Sequence, residues 1–370
     1  MSIYIQSANQ ISVQKPLSDE WFDNPVFYDE IRVPTLDPGF NEHFSPLEAR
    51  RMNVLLKRAV MMARLTLQEA SVEMPDAIIS GTGLGCIENT EKFLWSIMEN
   101  DEKFLQPTFF MQSTHNILSA TIAMKLKCHG YNNTFVHRGA SFESVLLDAF
   151  MQFERQRIKT ALVGGYDELT NDYFKFFERI GIWDFINGPS PKQKCFAGEA
   201  AVSMLLGTEK NGRTICEIND VELMYKPSSG RLKEKLDAVL AKAGCGLPDI
   251  DAVLTGLSTH AENDRVYNDV ITQLFSDRPI MQYKHLFGES FSSSALAVYV
   301  AATCLHKNRI PSILLADNRP SSGGVCGSDK GAMRFDTSGN KGDMKGVKRI
   351  LVYNHYRNQS HSFILLSCLN

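Results

Sequence analysis

The chain is organised around residues 133–156, where the pattern of apolar and polar residues changes from a short apolar run to a helical repeat. A short apolar run breaks there at Arg138 and Gly139, and apolar side chains then recur at helical spacing, at positions 142, 145, 146, 149, 150 and 153. This pattern predicts a strand, a tight elbow and a helix over 142–156 with one face towards a core. Enzymes place nucleophiles or bind anions at such elbows, because backbone N–H groups and the positive helix end are exposed there. The residue at this elbow, Gly139, has no side chain that could react.

The rest of the chain alternates between predicted strands and helices. Ser45, Pro46 and Glu48 form the start of a capped helix that should run to residue 70. Other helices are expected from residue 88 and over 116–127, 230–243 and 291–304. Strands are expected over 2–12, 76–80, 159–165, 196–206, 215–224, 250–254, 279–282, 313–315, 349–353 and 362–367. The polar, glycine-rich residues 318–345 should form the longest loop of the second half.

This alternation favours an α/β fold in which a mixed sheet is covered on both faces, with two similar halves. The composition is that of an ordinary globular protein, with 370 residues, 44% hydrophobic, 22% charged and a formal net charge of -3. That charge gives no reason to expect nucleic acid as a partner. No window is apolar enough to span a membrane, so we expect a cytoplasmic protein. The eight cysteines include no C-x-x-C pair, so neither a zinc site nor a redox motif is expected, and no cofactor is indicated.

Three turns, in this order, resemble those of the β-ketoacyl-acyl-carrier-protein synthase family. They are ISGTGLGC (79–86), VGGYDE (163–168) and FAGEAAVSMLL (196–206). The resemblance covers residues 2–369 and implies the thiolase fold of these condensing enzymes. The family's catalytic cysteine falls on Gly139, because the distance to the two glycines at 164 and 165 matches without a gap.

The same resemblance locates the family's two catalytic histidines. Its HGT-x-T motif corresponds to TGLST (255–259), so Thr255 stands at the first histidine position. Its K-x-x-x-G-H motif corresponds to residues 284–289, where Lys284 is kept and Glu289 replaces the second histidine. The family's GFGGTN loop corresponds to HYRNQS (355–360), which makes Tyr356 the gate to the acyl pocket and places Arg357 beside it.

The resemblance also implies architecture. We expect a five-layered αβαβα arrangement of two halves, 1–208 and 209–370, each with a mixed sheet, and with helices 116–127 and 142–156 near the centre. Residues 133–138 should not lie on a solvent-exposed sheet edge away from 250–254. Residues 134–137 should pair with their equivalents across a two-fold axis, giving a dimer.

Condensation needs a thiolate that carries the acyl chain and two neutral imidazoles that stabilise the enolate. Gly139 cannot carry an acyl group, and an ionised Glu289 would repel the enolate oxyanion. Ordinary condensation is therefore not expected, and whether the chain is an enzyme at all stays open.

Two functions remain. The first is a non-catalytic subunit, similar to a chain length factor, that pairs with an active synthase or with itself and serves an acyl carrier protein in fatty-acid or polyketide-type synthesis, such as aryl-polyene synthesis. The second is an acyltransferase or thioester hydrolase that uses Ser141 as its nucleophile. A histidine bonded to Ser141 would favour the enzyme, whereas a helix-capping hydroxyl with backbone partners favours the subunit.

Glu289 must find donors or be protonated if it is buried. We expect it to bond at least one of Lys284, Thr255, Arg357 or His137. A metal held by His115, His137 and Glu289 is conceivable, but their unrelated spacings favour ordinary buried histidines, so no metal is expected.

Overall fold

The computed structural model describes residues 2–183, 194–316 and 342–369. Most of the predicted loop over 318–345 lies outside the described residues. Its last residues contribute to a small two-stranded sheet of β9 (Arg309–Ile310) and β10 (Met344–Lys345).

The other described strands form one ten-stranded mixed sheet. Those of the first half are β1 (Ile3–Ile11), β2 (Ala77–Gly81), β3 (Tyr131–Phe135), β4 (Thr160–Asp167) and β5 (Ala200–Gly207). Those of the second half are β6 (Cys216–Tyr225), β7 (Ala252–Thr255), β8 (Ile280–Gln282), β11 (Arg349–Tyr356) and β12 (Ser360–Ser367).

The strand order repeats between the two halves. It is β3-β2-β4-β5-β1 in the first half and β8-β7-β11-β12-β6 in the second, and the two sets meet where β1 pairs antiparallel with β6. In the first half β2 runs parallel to β3 and β4, and β5 is antiparallel to β4. In the second half β7 runs parallel to β8 and β11, and β12 is antiparallel to β11. The expected internal similarity is therefore present in the topology, with the two sheets joined into one.

The helices lie in three layers around these strands. Their bounds are α1 (Pro46–Ala49), α2 (Val54–Ala70), α3 (Ile87–Glu99), α4 (Pro107–Ser113), α5 (Ile117–Leu126), α6 (Ser141–Glu154), α7 (Asn171–Arg179), α8 (Ser229–Lys242), α9 (Ala261–Leu274), α10 (Lys284–Phe287) and α11 (Ser293–His306). The central layer consists of α6 and α11, whose side chains share one core with strands of both halves. Helices α2 and α5 cover the first half, and α8 and α9 cover the second. The order of layers is thus αβαβα.

Four expectations from the sequence are wrong. The helix predicted from 45 to 70 has the expected capping box at Ser45 and Glu48, but it stops at Ala49, and Asn53 caps a separate helix. Helix α5 packs in the outer layer on α2, not at the centre. The second central helix is α11, since all its residues up to Leu305 are buried. Residues 312–314 form a 3₁₀ turn, not a strand.

The fourth error concerns the strand before the elbow. β3 is the edge strand of the sheet and is exposed or half-buried, at the opposite end from β7. Its N–H and C=O groups on the outer side have no strand partner among the described residues. The apolar run at 133–138 therefore marks an edge, and a period-two pattern alone could not separate this from an interior strand.

Candidate functional site

The elbow lies between the edge strand β3 and the central helix α6. A 3₁₀ turn spans Arg138–Ala140, and Arg138 has a positive φ of 54°. Gly139 lies directly under Tyr356, because a Cβ built on Gly139 would be 2.5 Å from Cδ2 of that ring. The tyrosine ring therefore covers the residue that the resemblance aligns with the family's catalytic cysteine.

Tyr356 is held over the elbow by its neighbours. Its ring packs edge-on against Phe291 with centroids 6.0 Å apart, and the Arg138 guanidinium lies 5.6 Å from the Phe291 centroid. Arg357 and Asn358 follow with φ of 51° and 52°, in the left-handed region that a tight hairpin turn needs. The gate position predicted from sequence thus holds an aromatic ring packed against the elbow.

Ser141 is fully buried at the first turn of α6. Its hydroxyl is 2.8 Å from the Thr82 carbonyl oxygen and 2.7 Å from the Arg138 carbonyl oxygen, and it accepts from the backbone N–H of His137 at 2.9 Å. Ser141 is the first helical residue and not the cap, so the expected capping bond is absent. All its hydrogen-bond partners among the described residues are backbone groups, and no histidine ring is among them.

Glu289 is the centre of a short row of polar side chains. Lys284 Nζ donates to Glu289 Oε2 at 2.5 Å, and Ser293 Oγ donates to Glu289 Oε1 at 3.1 Å. The side chains of Lys284 and Glu289 are 6% and 18% exposed. Burial by itself would lower the pKa of Lys284, but the Glu289 carboxylate holds it well above its ordinary value. The predicted bond between Lys284 and Glu289 is present, whereas the Ser293 bond was not foreseen.

The other expected partners of Glu289 lie elsewhere. Thr255 is fully buried, and its hydroxyl donates to the Met281 carbonyl at 3.0 Å, across β7 and β8. His137 Nδ1 is 2.8 Å from the Ser144 hydroxyl. The Arg357 guanidinium lies over Tyr356, 5.9 Å from the ring centroid. None of these three side chains therefore bonds to Glu289 among the described residues.

A cavity of about 460 Å³ opens in front of this row. Its wall includes Gly139, Lys284, Glu289, Ser293 and Tyr356, so the structure brings together most of the residues singled out in the sequence. Thr255 and Ser141 do not line it. The cavity is large enough for a small-molecule ligand.

A second polar network closes the cavity on the side of the core. The Tyr267 hydroxyl donates to Asn354 Oδ1 at 2.6 Å, and Asn354 Nδ2 donates to Glu143 Oε1 at 2.8 Å. Glu143 is 1% exposed and also accepts from Ser294 at 2.9 Å. Burial raises the pKa of Glu143 above its ordinary value, against the effect of these donors. The network ties the two central helices to β11 without offering a nucleophile.

His355 lies beside this network and also lines the cavity. Its Nε2 is 3.0 Å from the Asn263 carbonyl oxygen, and its Nδ1 accepts from the Asn358 N–H at 3.3 Å. Burial lowers the pKa of His355 to about 3. The imidazole is therefore neutral with both nitrogens occupied, so it cannot replace a catalytic histidine as a base.

The glycine-rich turn after β2 is closed to anions. Asp167 Oδ1 accepts from the Thr82 hydroxyl and from the backbone N–H groups of Gly83 and Leu84, each at 2.9 Å. Burial raises the pKa of Asp167 to about 6. Because these donors already hold a carboxylate, the turn is a structural element and not a phosphate loop.

Within residues 2–183, 194–316 and 342–369, no group of three or more His, Cys, Asp or Glu side chains is arranged to hold a metal ion. No helix there is both long enough and apolar enough to cross a membrane.

The five-layered αβαβα arrangement of two similar halves defines a thiolase-like fold, and the residue at its elbow is a glycine under a tyrosine ring. Residues 26–200 match the family model of the β-ketoacyl synthase N-terminal domain. This match covers just under half of the chain, and the chain as a whole has the fold of β-ketoacyl synthases. No curated protein matches the sequence significantly.

Solved structures support the same fold over the full length. The chain is similar to the ishigamide ketosynthase/chain length factor, with 16% identity, a TM-score of 0.80 and coverage of 100% of this chain and 99% of that one. It is also similar to a β-ketoacyl synthase from Burkholderia phymatum STM815, with 13% identity, a TM-score of 0.78 and coverage of 100% of both chains. A third similar structure is the ketosynthase ApeO in complex with its chain length factor ApeC, from Xenorhabdus doucetiae. The identity is 14% and the TM-score 0.77, with coverage of 100% of this chain and 98% of that one.

Proposed function

We propose that this chain is a non-condensing subunit, similar to a chain length factor, of a fatty-acid or polyketide-type synthase such as one that makes aryl polyenes. It would pair with an active ketosynthase in the cytoplasm, shape the acyl pocket of that partner and help to dock an acyl carrier protein. One observation carries the proposal: the Tyr356 ring covers Gly139, the residue that the resemblance aligns with the family's catalytic cysteine.

The residues at the two positions that the resemblance assigns to catalytic histidines support the same function. Glu289 is paired with Lys284 and so brings a carboxylate where the family places a neutral donor. Thr255 directs its hydroxyl to a backbone carbonyl and away from the cavity. A condensing centre needs all three groups at once, so their joint loss argues against residual condensation.

The geometry of Ser141 speaks against the competing function, an acyltransferase or thioester hydrolase that uses this serine. The Ser141 hydroxyl is buried, bonds backbone groups and does not line the cavity. A serine nucleophile needs a base within hydrogen-bond reach and access to substrate. Ser141 has neither among the described residues.

A dimer is supported by the surface beside β3. Within the described part of the chain, the edge strand has no strand partner on its outer side, and large apolar side chains on or near it and on the contiguous helices α3 to α5 are exposed. They are Leu94, Trp95, Met98, Phe110, Met111, Met124, Tyr131 and Val136. Exposed apolar surface next to an open sheet edge is typical of an interface. We expect a homodimer when the chain is made alone and a heterodimer when an active synthase is co-expressed.

The test is to purify the chain alone and with its co-expressed synthase, and to supply both preparations with acyl and malonyl carrier protein. Mass spectrometry should find extended products from the pair and none from this chain alone. The pair containing this chain should also differ from the synthase alone in product chain length. Condensed product from the isolated chain would contradict the proposal, as would a monomer by light scattering at micromolar concentration.

A further inference from the structure

The row of Lys284, Glu289 and Ser293 has the geometry of an activated hydroxyl. Ser293 Oγ is 3.1 Å from Glu289 Oε1, within the distance over which a general base removes a proton. Lys284 Nζ holds the other oxygen of the same carboxylate at 2.5 Å, which orients the carboxylate. A nucleophile, a base and a group that orients the base are the three parts of a serine triad.

The surroundings fit acyl chemistry. Ser293, Glu289 and Lys284 all line the 460 Å³ cavity, together with the aromatic rings of Phe291 and Tyr356. Ser293 is also the first residue of α11, a helix of 14 residues, so the positive end of the helix dipole lies at the hydroxyl. A developing oxyanion there would be stabilised by this dipole. The aromatic wall provides apolar contact for a short acyl chain.

We infer that Ser293 is a nucleophile for activated acyl compounds, with Glu289 as its base and Lys284 as the positioning residue. The expected substrates are small acyl thioesters or esters, and the expected reaction is hydrolysis through an acyl-serine. This activity lies beyond the proposed subunit function, since a subunit can lack condensation whether or not Ser293 reacts. It also differs from the Ser141 hypothesis, because Ser293 is at the cavity and has a carboxylate partner.

The steps balance without any redox partner. Ser293 Oγ forms a bond to the acyl carbon while its proton moves to Glu289 Oε1, and the carbon–sulfur bond breaks. The thiolate leaves and takes the proton from Glu289 as a thiol. Water then attacks the acyl-serine carbon and gives a proton to Glu289. The free acid departs as the proton returns to Ser293 Oγ.

The experiment uses the purified full chain, without a synthase. It is treated with a fluorophosphonate probe, and hydrolysis of p-nitrophenyl acetate and of the acetyl thioester of N-acetylcysteamine is followed in parallel. Peptide mass spectrometry should place the phosphonyl group on Ser293. Ser293→Ala should abolish labelling and lower hydrolysis by at least about 100-fold, in the range that a positioned acid–base pair contributes. Glu289→Gln, which keeps an oxygen and removes the base, should lower both by a similar factor.

Ser292→Ala is the matched control. Ser292 is the neighbouring serine, is fully buried and does not line the cavity. This variant should label and hydrolyse within two-fold of the unchanged chain. Three outcomes would overturn the inference: no labelling of the unchanged chain, a phosphonyl group on a residue other than Ser293, or equal hydrolysis in Ser293→Ala. The mapped position remains decisive even if a variant folds poorly, because it is read from the unchanged chain.

Discussion

Restoring a thiol at the elbow gives the sharpest test of the site. A Cβ at position 139 would lie 2.5 Å from Cδ2, 3.0 Å from Cγ and 3.2 Å from Cβ of Tyr356. Ordinary carbon contacts are about 3.5–4.0 Å, so the ring must move by about 1 Å before any side chain fits. We expect Gly139→Cys to destabilise the chain by about 1–3 kcal/mol, the usual cost of overpacking, and to restore no condensation.

Urea unfolding followed by circular dichroism measures this cost, with an unchanged slope showing that the folded and unfolded states remain comparable. Gly139→Ala separates the steric effect from the thiol and should account for most of the loss. Gly230→Ala is the control for adding a Cβ, since nothing lies within 4 Å of the position that this atom would take. This control should leave stability nearly unchanged or raise it slightly.

The clash also predicts a coupling between two positions. Tyr356→Ala removes the ring, so Gly139→Cys should cost much less in that background, with a coupling energy of about 1–3 kcal/mol. If Gly139→Cys is harmless by itself and shows no coupling to Tyr356→Ala, the ring does not cover the elbow. Recovery of condensing turnover by Gly139→Cys alone would mean that Thr255 and Glu289 still support the chemistry, and the non-condensing function would have to be withdrawn.

Two further predictions concern buried charge. Glu289→Ala should destabilise the chain by about 1–3 kcal/mol because it leaves the Lys284 ammonium buried without its carboxylate. Ser293→Ala keeps the pair of Lys284 and Glu289, so it should destabilise the chain less in the same urea-unfolding assay. Burial raises the pKa of Glu168 from 4.5 to about 8. Between these values the folded state holds a proton that the unfolded state has released. The free energy of unfolding should therefore fall as pH rises from about 5 to 8. Glu168→Gln should remove that part of the slope, at most about 1.4 kcal/mol per pH unit; an unchanged slope would show that Glu168 is not the group responsible.

The sequence pattern was sufficient to predict those elements that depend only on neighbouring residues. The strand-elbow-helix unit around Gly139, the capping box at Ser45 and the alternation of strands and helices follow from apolar spacing and from residues that satisfy free N–H groups. The order of the turns located Lys284, Glu289 and Tyr356, and the cavity does bring these three together. Their roles in the function remain predictions.

The layer of each helix and the position of each strand in the sheet depend on long-range packing, which sequence periodicity does not reveal. An amphipathic or small-residue helix is compatible with either an inner or an outer layer, so only the assembled core shows that α11 joins α6 at the centre and that α5 lies outside. Likewise, an apolar run does not tell an edge strand from an interior one, and β3 lies at the edge.

The sequence by itself determined that the residue at the predicted elbow, Gly139, is a glycine and that an acid, Glu289, follows five residues after Lys284, since these are facts of residue identity and order. Tertiary structure alone decided which groups those residues meet. Tyr356 reaches Gly139 from a hairpin more than 200 residues away, Thr255 turns to a neighbouring strand, and Ser293 joins Glu289 at the start of the central helix. Hydrogen bonds and ring contacts depend on distances of a few ångströms between elements, and these distances exist only once the layers have packed.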